Sequence, residues 1–259
     1  NRDNAMKMLR AKLAELKLLA GAVQASKFLS ERKSVALIEK LSTLCSSYQA
    51  AQLERQVTVR DRVKSMNESI YYTVDRIHEA IAENKQIRFR YFDWGVDRRK
   101  HERPGEYFAS PYALVWDNEN YYLIAYDPSA PEGSRIRNYR VDKMENIQLT
   151  EEKREGAQHF RGSFSPAAYS RKMFGMFSGH EEIVRLRCRK DAINILRDRF
   201  GSELMVQPGD STHFFASVTV AVSPQFYAWV VGLNGAVRIV APQHVCDSFR
   251  KLLLEQLEE

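Results

Sequence analysis

The chain has 259 residues, of which 44% are hydrophobic and 28% charged, a composition that excludes a disordered or fibrous protein. No apolar run approaches the roughly 20 residues of a membrane helix, so we expect no membrane-spanning segment. The formal net charge of +6 is compatible either with a solvated basic surface or with an anionic partner such as nucleic acid.

Residues 1–84 are predicted to form a helical linker or dimerisation segment. Two helices are expected within residues 5–50, and Ser30 is a candidate N-cap for the second of them. Residues 56–63 are predicted to form a short connector with a preference for β structure. Residues 67–84 predict a third helix with apolar side chains on one side.

Residues 85–150 are predicted to form a small β-barrel. Residues 86–94 alternate between apolar and basic side chains, as a strand with one buried face does. Residues 113–116 and 121–126 flank the polar cluster 117–120, which predicts a hairpin. Both faces of its second strand are apolar or aromatic, so more sheet must cover at least one of them, and a closed or nearly closed barrel does this.

Residues 151–180 are predicted to be a linker, because glycines and a proline are scattered through them. The piece 172–177 contains two methionines and two phenylalanines and is too apolar for a free tether. Two interpretations stay open with equal weight. The piece packs into the core of its own chain, or it docks on a partner subunit.

Residues 181–259 predict a separate α/β unit with the order βαββαβα, which is typical of a ferredoxin-like sandwich. Ser223 followed by Pro224 indicates the N-cap and first position of its second helix. The fold class is therefore α+β, with an N-terminal helical segment, an SH3- or Sm-like barrel and a ferredoxin-like unit.

The order of motifs resembles the WYL domain of bacterial transcriptional regulators. The motifs are a Phe-x-Tyr strand ending at Tyr91, Ser-Pro-Tyr from Ser110, the Tyr-Tyr-Leu that contains Tyr122, and Tyr-Arg-Val-Asp-Lys-Met from Tyr139. Tyr stands where the family's Trp gives it its name. The stretch that begins at Val222 resembles the WCX extension that follows WYL domains. The resemblance implies an N-terminal winged helix–turn–helix domain that binds DNA, and we expect this chain to begin too late for a complete one.

The sequence carries none of the motifs of common enzyme classes. It has no Gly-x-Ser-x-Gly elbow, no Walker loop, no Gly-x-Gly-x-x-Gly and no His-x-x-x-His pair. Its three cysteines are far apart, which favours reduced structural thiols in a cytoplasmic protein. We expect a non-enzymatic protein with no cofactor and no metal.

Tyrosines and basic residues of the barrel form the candidate ligand site. Aromatic rings stack on bases, and arginine forks hold phosphate or carboxylate groups. The site is predicted from this pairing and from the polar patch that the resemblance implies, and it comprises Tyr91, Ser110, Tyr122, Arg137, Tyr139, Arg140 and Lys143. His101 and Arg103 lie in a loop nearby and are marginal. We expect Arg140→Ala to weaken ligand binding and to leave the melting temperature nearly unchanged.

Two functions are compatible with this reading. The first is the effector-sensing and oligomerising region of a bacterial transcriptional regulator, a homodimer whose barrel binds an anionic small molecule or a nucleic-acid ligand. The second is an accessory module that binds single-stranded DNA or RNA and has no operator-specific DNA binding. An N-terminal DNA-binding domain would favour the first function. A steep salt dependence of single-strand binding would favour the second.

Overall fold

A computed structural model of the chain describes residues 2–46, 48–50, 70–161 and 164–257, with side chains from residue 13 onward. The predicted connector at 56–63 lies outside the described residues. Helix α1 runs over Arg2–Ala25 and helix α2 over Glu31–Ser42. The hydroxyl of Ser30 accepts a hydrogen bond from the Lys33 amide at 3.2 Å, which confirms the predicted N-cap. Leu16 and Ala20 of α1 are buried in the small core between the two helices.

Helix α3, Ile70–Ala82, leads into a curled antiparallel sheet that forms a half-barrel. Its strands are β1 Lys85–Trp94, β2 Lys100–Glu102, β3 Tyr107–Asp117, β4 Asn120–Tyr126, β5 Ile136–Arg140 and β6 Met144–Lys153. The hydrogen-bonded order is β2-β1-β3-β4-β5, and β6 returns to pair with β1. Ile77 of α3 packs with Ile87, Phe89 and Leu123 inside the curl. The helix and the strands predicted here are confirmed.

The hairpin between β3 and β4 has a two-residue loop. Asn118 and Glu119 have φ angles of 45° and 63°, and Asp117 pairs with Asn120. Two successive left-handed residues are the signature of a type I′ turn, whose twist matches that of the flanking strands. The hairpin was predicted from its polar cluster, and the loop is shorter than the four residues of that cluster.

The two faces of β4 are covered by different parts of the chain. Leu123 and Ala125 point into the half-barrel core. Tyr122 and Ile124 point to the opposite side, where Met173 and Met176 pack on them. The second apolar face of β4 is therefore buried by the segment that follows β6 and links the two domains, and not by further sheet. We call this segment the connector.

The connector contains helix α4, Pro166–Lys172, and continues into the apolar residues 173–177. Met173 packs on the half-barrel, whereas the adjacent Phe174 is buried in the core of the C-terminal domain. The side-chain amide of Asn138 on β5 donates a hydrogen bond to the Met176 carbonyl at 3.0 Å. Of the two interpretations left open, packing within the chain holds for Met173, Phe174 and Met176. Phe177 is 51% exposed.

The C-terminal domain has the predicted order βαββαβα. Its elements are β7 His180–Arg189, α5 Ile193–Phe200, β8 Val206–Pro208, β9 His213–Val222, α6 Pro224–Gly232, β10 Val237–Ala241 and α7 Gln243–Glu255. All strand pairs are antiparallel, in the order β10-β7-β9-β8. The hydroxyl of Ser223 accepts from the Phe226 amide at 3.3 Å and so caps α6. This topology is the ferredoxin-like arrangement, and it completes the predicted α+β class.

Candidate ligand-binding site

A cavity of about 600 Å³ lies between the curled sheet and the connector. This volume falls in the range of small-molecule sites, about 300–1,000 Å³. The sheet contributes Tyr91, Arg103, Tyr107, Tyr122, Asp127, Arg137, Asn138, Tyr139, Arg140 and Lys143. The connector contributes Gly175, Met176, Phe177 and Ser178. The cavity therefore has one wall from each of two segments that lie far apart in sequence.

The structure brings together all the predicted site residues except Ser110. The side chain of Ser110 is fully buried on β3, and its hydroxyl accepts a hydrogen bond from the Glu155 amide at 2.8 Å. Ser110 thus holds the end of β6 against β3 and does not line the cavity, so it drops out of the candidate site. Of the two marginal residues, Arg103 lines the cavity. His101 instead bonds Asp97 at 2.9 Å outside it.

The three predicted tyrosines line the cavity and are mostly buried. Tyr91, Tyr122 and Tyr139 are 7%, 8% and 7% exposed, and the rings of Tyr91 and Tyr139 lie edge to face at 5.9 Å. Rings packed in this way cannot offer a free face, so the expected stacking of a ligand on them is not supported. They contribute hydroxyl groups and shape instead.

The hydroxyl groups of Tyr91 and Tyr139, the two tyrosines in the half-barrel core, each have a hydrogen-bond partner within the chain. The Tyr91 hydroxyl accepts from the Arg140 amide at 3.1 Å, and the Tyr139 hydroxyl donates to the Asp127 carboxylate at 2.7 Å. Burial raises the pKa of Tyr91 to about 12. Burial, followed by the hydrogen bond to Asp127, also raises the pKa of Tyr139. Both tyrosines are therefore neutral donors or acceptors at neutral pH and cannot serve as bases.

Three of the four cations of the cavity are held by carboxylates at its edge. Arg103 Nε and Lys143 Nζ each bond one oxygen of Asp93 at 2.7 Å. These hydrogen bonds, first that of Arg103 and then that of Lys143, lower the pKa of Asp93 to about 2. Arg140 donates from Nε and Nη2 to the two oxygens of Asp142, at 3.0 and 2.7 Å. The arginine fork expected to bind ligand at Arg140 is thus already engaged by a neighbour.

Arg137 differs from these three cations. It is half-buried on β5, and its side chain makes no ion pair and no hydrogen bond with the described residues. A guanidinium without an anionic partner in a partly buried site retains its capacity to bind a ligand carboxylate or phosphate. Arg137 is therefore the residue of the predicted set best placed to bind an anion directly.

Sequence reasoning missed the connector wall and three residues of the sheet, Tyr107, Asp127 and Asn138. The Met and Phe cluster at 172–177 was the only signal for the wall, because it showed that this segment had to pack on something. Asp127 had no such signal, since its hydrogen bond with Tyr139 forms only when β4 and β5 come together in the fold.

Within the described ranges, no group of three or more His, Cys, Asp or Glu side chains is arranged to hold a metal ion. Of the helices among the described residues, none is long and apolar enough to cross a membrane.

Comparison with known proteins gives two family matches and weak structural similarities. The model of the WYL domain matches residues 72–149, and the model of the WCX domain matches residues 180–257. Proteasome accessory factor B/C (PafBC) of Arthrobacter aurescens aligns with 94% of this chain and 35% of its own, at 21% identity and a TM-score of 0.35. A CRISPR Cas-related protein aligns with 85% of this chain and 60% of its own, at 13% identity and a TM-score of 0.45.

No curated protein matches the chain. The chain spans 35% and 60% of the two structures, in both cases less than two thirds of their length. The two family matches cover the half-barrel with helix α3 and the ferredoxin-like unit, the same two units that the fold separates. The chain is therefore a WYL-domain protein in which a WCX domain follows the WYL domain.

Proposed function

We propose that this chain is the effector-sensing and oligomerising region of a bacterial transcriptional regulator, and that an anionic effector binds in the cavity of the WYL domain. The effector is a small molecule or a nucleic-acid fragment, and its binding controls an N-terminal DNA-binding domain. The observation that supports this proposal most directly is Arg137, a half-buried cavity arginine with no anionic partner among the described residues.

The charge of the cavity lining favours an anion over a neutral ligand. The lining contains four cations, Arg103, Arg137, Arg140 and Lys143, and one carboxylate, Asp127. Together with the carboxylates of Asp93 and Asp142 at its edge, they leave an excess of one positive charge. Asp127 is buried and its oxygens are occupied by Ser129 and Tyr139, so it does not point a free charge at the ligand. A phosphate or carboxylate group would bind the Arg137 guanidinium by a charge-assisted pair of hydrogen bonds.

Two contacts offer routes from the cavity to the rest of the chain. Arg140 bonds Asn120 in the β3–β4 hairpin, whose residues Trp116 and Tyr121 contact Phe28 between the N-terminal helices. On the opposite wall, Met176 belongs to the connector that enters the WCX domain. An effector that contacts both walls would bias the position of both neighbours, which is what a sensor domain requires.

The experiment compares Arg137→Ala with wild type in titrations with inorganic pyrophosphate and with a short oligothymidylate. Loss of a charge-assisted hydrogen bond costs about 1.5–3 kcal/mol, so affinity should fall by about tenfold or more. Arg88→Ala is the matched control, because Arg88 is exposed on β1 and bonds Gln148 away from the cavity. Equal affinities in wild type and Arg137→Ala would contradict the proposal.

The alternative function is an accessory module that binds single-stranded nucleic acid without an operator. Such a module would also bind its ligand in the cationic cavity, but it would not control an N-terminal domain. Binding of the oligothymidylate with a steep salt dependence, together with no DNA-binding domain encoded upstream of these residues, would favour it. Affinity for pyrophosphate with little salt dependence would favour the sensor.

The homodimer is part of the proposal. Met173, Phe174 and Met176 are buried within the chain, whereas Phe177, Ile183, Met205 and the leucines at the end of α7 are among the exposed apolar side chains. Light scattering at micromolar concentration tests the dimer, and a monomeric mass would contradict it.

A further inference from the structure

The WCX sheet has one face covered by helices and one face that carries arginines. Val184, Leu186 and Cys188 of β7 point into the core beneath α5, α6 and α7. The alternate positions of β7 point outward and hold Arg185, Arg187 and Arg189, together with the exposed Ile183. Arg189 is paired with Asp191 at 2.9 Å. On the neighbouring strand β10, Arg238 is also outward and exposed. The one acidic residue at an outward strand position in the described part of this sheet, Glu181, is bonded by Lys172 at 2.6 Å.

Two of these arginines face each other directly across the sheet. Arg238 of β10 is the register partner of Arg187 of β7. Like charges at directly opposite positions destabilise a sheet. Arg187 has a carboxylate partner in Asp210 at 3.1 Å, whereas the side chain of Arg238 makes no ion pair or hydrogen bond with any residue that the structure describes. An anion lying across both arginines would remove this repulsion.

On the other side of Arg187, the next two strands of the sheet continue this line of register partners with an aromatic and an amide side chain. Phe215 of β9 is the register partner of Arg187, and Gln207 of β8 is the register partner of Phe215. The guanidinium of Arg185 lies over the Phe215 ring at 4.5 Å and donates to the Gln207 side chain at 3.2 Å. The outward face therefore carries two adjacent arginines, Arg238 and Arg187, beside the Arg185 guanidinium stacked on the Phe215 ring.

We propose that this outward face of the WCX sheet binds single-stranded nucleic acid. The phosphate backbone lies against Arg238 and Arg187, and an unpaired base stacks on the Arg185–Phe215 pair. Bases of single strands stack on aromatic rings and on arginine planes, and four-stranded sheets with such side chains present them to several bases at once. A duplex keeps its bases stacked internally and would use only the arginines, so the Arg185–Phe215 pair favours a single strand.

The test measures binding of a fluorescein-labelled oligothymidylate to the whole chain by anisotropy, over a series of salt concentrations. Phe215→Leu keeps the apolar bulk and removes the ring, so affinity should fall by about fivefold or more. Phe215→Tyr keeps the ring and should bind like wild type. Arg238→Gln should reduce the salt slope by about 0.7, the value for one lost phosphate contact on a single strand. Arg250→Gln on α7, which covers the opposite face, is the matched control.

Arg137→Ala separates this site from the cavity of the WYL domain. Binding that survives Arg137→Ala and falls in Phe215→Leu supports the sheet face. Binding that is lost in Arg137→Ala and unchanged in Phe215→Leu and Arg238→Gln overturns it and leaves the proposed function intact. If Arg238→Gln changes the mass in light scattering and not the affinity, the face is a contact between copies of the chain, and the proposal is also overturned. Thermal melts establish that each variant is folded.

Discussion

The guanidinium of Arg140 donates a hydrogen bond from Nη2 to the side-chain oxygen of Asn120 at 2.9 Å. This bond ties the wall of the cavity to the tip of the β3–β4 hairpin. Because Nε and Nη2 also bond Asp142, the Arg140 side chain is fixed between two neighbours before any ligand arrives. Arg140 therefore joins the cavity to the surface on which the N-terminal helices rest.

The first prediction concerns the stability of Arg140→Ala. The substitution removes the hydrogen bonds to Asp142 and Asn120, so we expect the free energy of unfolding to fall by about 1–3 kcal/mol in urea titrations. This replaces the expectation from sequence that the melting temperature would be nearly unchanged. Arg137→Ala is the comparison, because it breaks no described hydrogen bond and should change stability by less than about 0.5 kcal/mol. An unchanged midpoint in Arg140→Ala would show that its contacts contribute nothing.

The second prediction concerns Asp93, which holds two of the cavity's cations. Asp93→Asn removes the charge that pairs with Arg103 and Lys143. Arg103 and Lys143 are then released to pair with the ligand, and a cation about 4 Å from a phosphate is worth about 1 kcal/mol even in water, so pyrophosphate should bind about fivefold more tightly. Asp97→Asn is the control, since Asp97 pairs with His101 outside the cavity. Equal pyrophosphate affinity in Asp93→Asn and wild type would show that the two cations do not reach the ligand.

The third prediction concerns alkaline stability. The pKa of Tyr91 is raised from 10.0 to about 12 in the folded chain, because its hydroxyl is buried. Between pH 10 and 12 the unfolded chain therefore releases this proton while the folded chain retains it, and unfolding becomes progressively more favourable. Tyr91→Phe should lose about 1 kcal/mol at pH 7 with the hydrogen bond to Arg140, and should show a weaker decline above pH 10.

Urea midpoints measured from pH 7 to 12 check this. Tyr139 and Tyr169 also have raised pKa values through burial, so part of the alkaline decline should remain in Tyr91→Phe. Tyr72→Phe serves as the control, because that ring is 61% exposed. A decline of the same steepness in Tyr91→Phe and wild type would contradict the assignment.

The fourth prediction concerns the contact between the N-terminal helices and the hairpin. Phe28 lies edge to face with Tyr121 at 4.7 Å and with Trp116 at 5.9 Å. Aromatic pairs of this kind contribute about 0.5–1.5 kcal/mol each, so Phe28→Ala should release the helices from the sheet. Hydrogen exchange should accelerate in α1 and α2 and stay unchanged in the WCX domain.

The neighbouring salt bridge provides the control for this contact. Lys27 bonds Glu119 at 2.6 Å, and both side chains are partly exposed. Exposed ion pairs contribute about 0–1 kcal/mol, so Lys27→Ala should leave exchange in α1 and α2 nearly unchanged. If Lys27→Ala has the larger effect of the two, charge rather than ring packing holds this contact.

The parts of the fold predicted correctly are those with local signals. Asn118 lies in a tight turn between alternating strands, and Ser223 with Pro224 begins a helix. Both features can be predicted from a few neighbouring residues. The pairing of the cations could not be predicted in the same way. Lys143 reaches Asp93 across 50 positions, and only the curl of the sheet brings them together. Sequence reasoning therefore found six residues that meet at the cavity, but not the connector that closes it or which cations keep a charge available for a ligand.

The connector's adjacent residues Met173 and Phe174 point into different hydrophobic cores. Neither domain can lose its packing without exposing one of these side chains, so the two domains should unfold in one cooperative transition. A fragment cut at the end of β6 would leave the outer face of β4, with Tyr122 and Ile124, open to solvent. Such a fragment would tend to aggregate during expression, and the smallest well-behaved piece of the WYL domain should extend through residue 178.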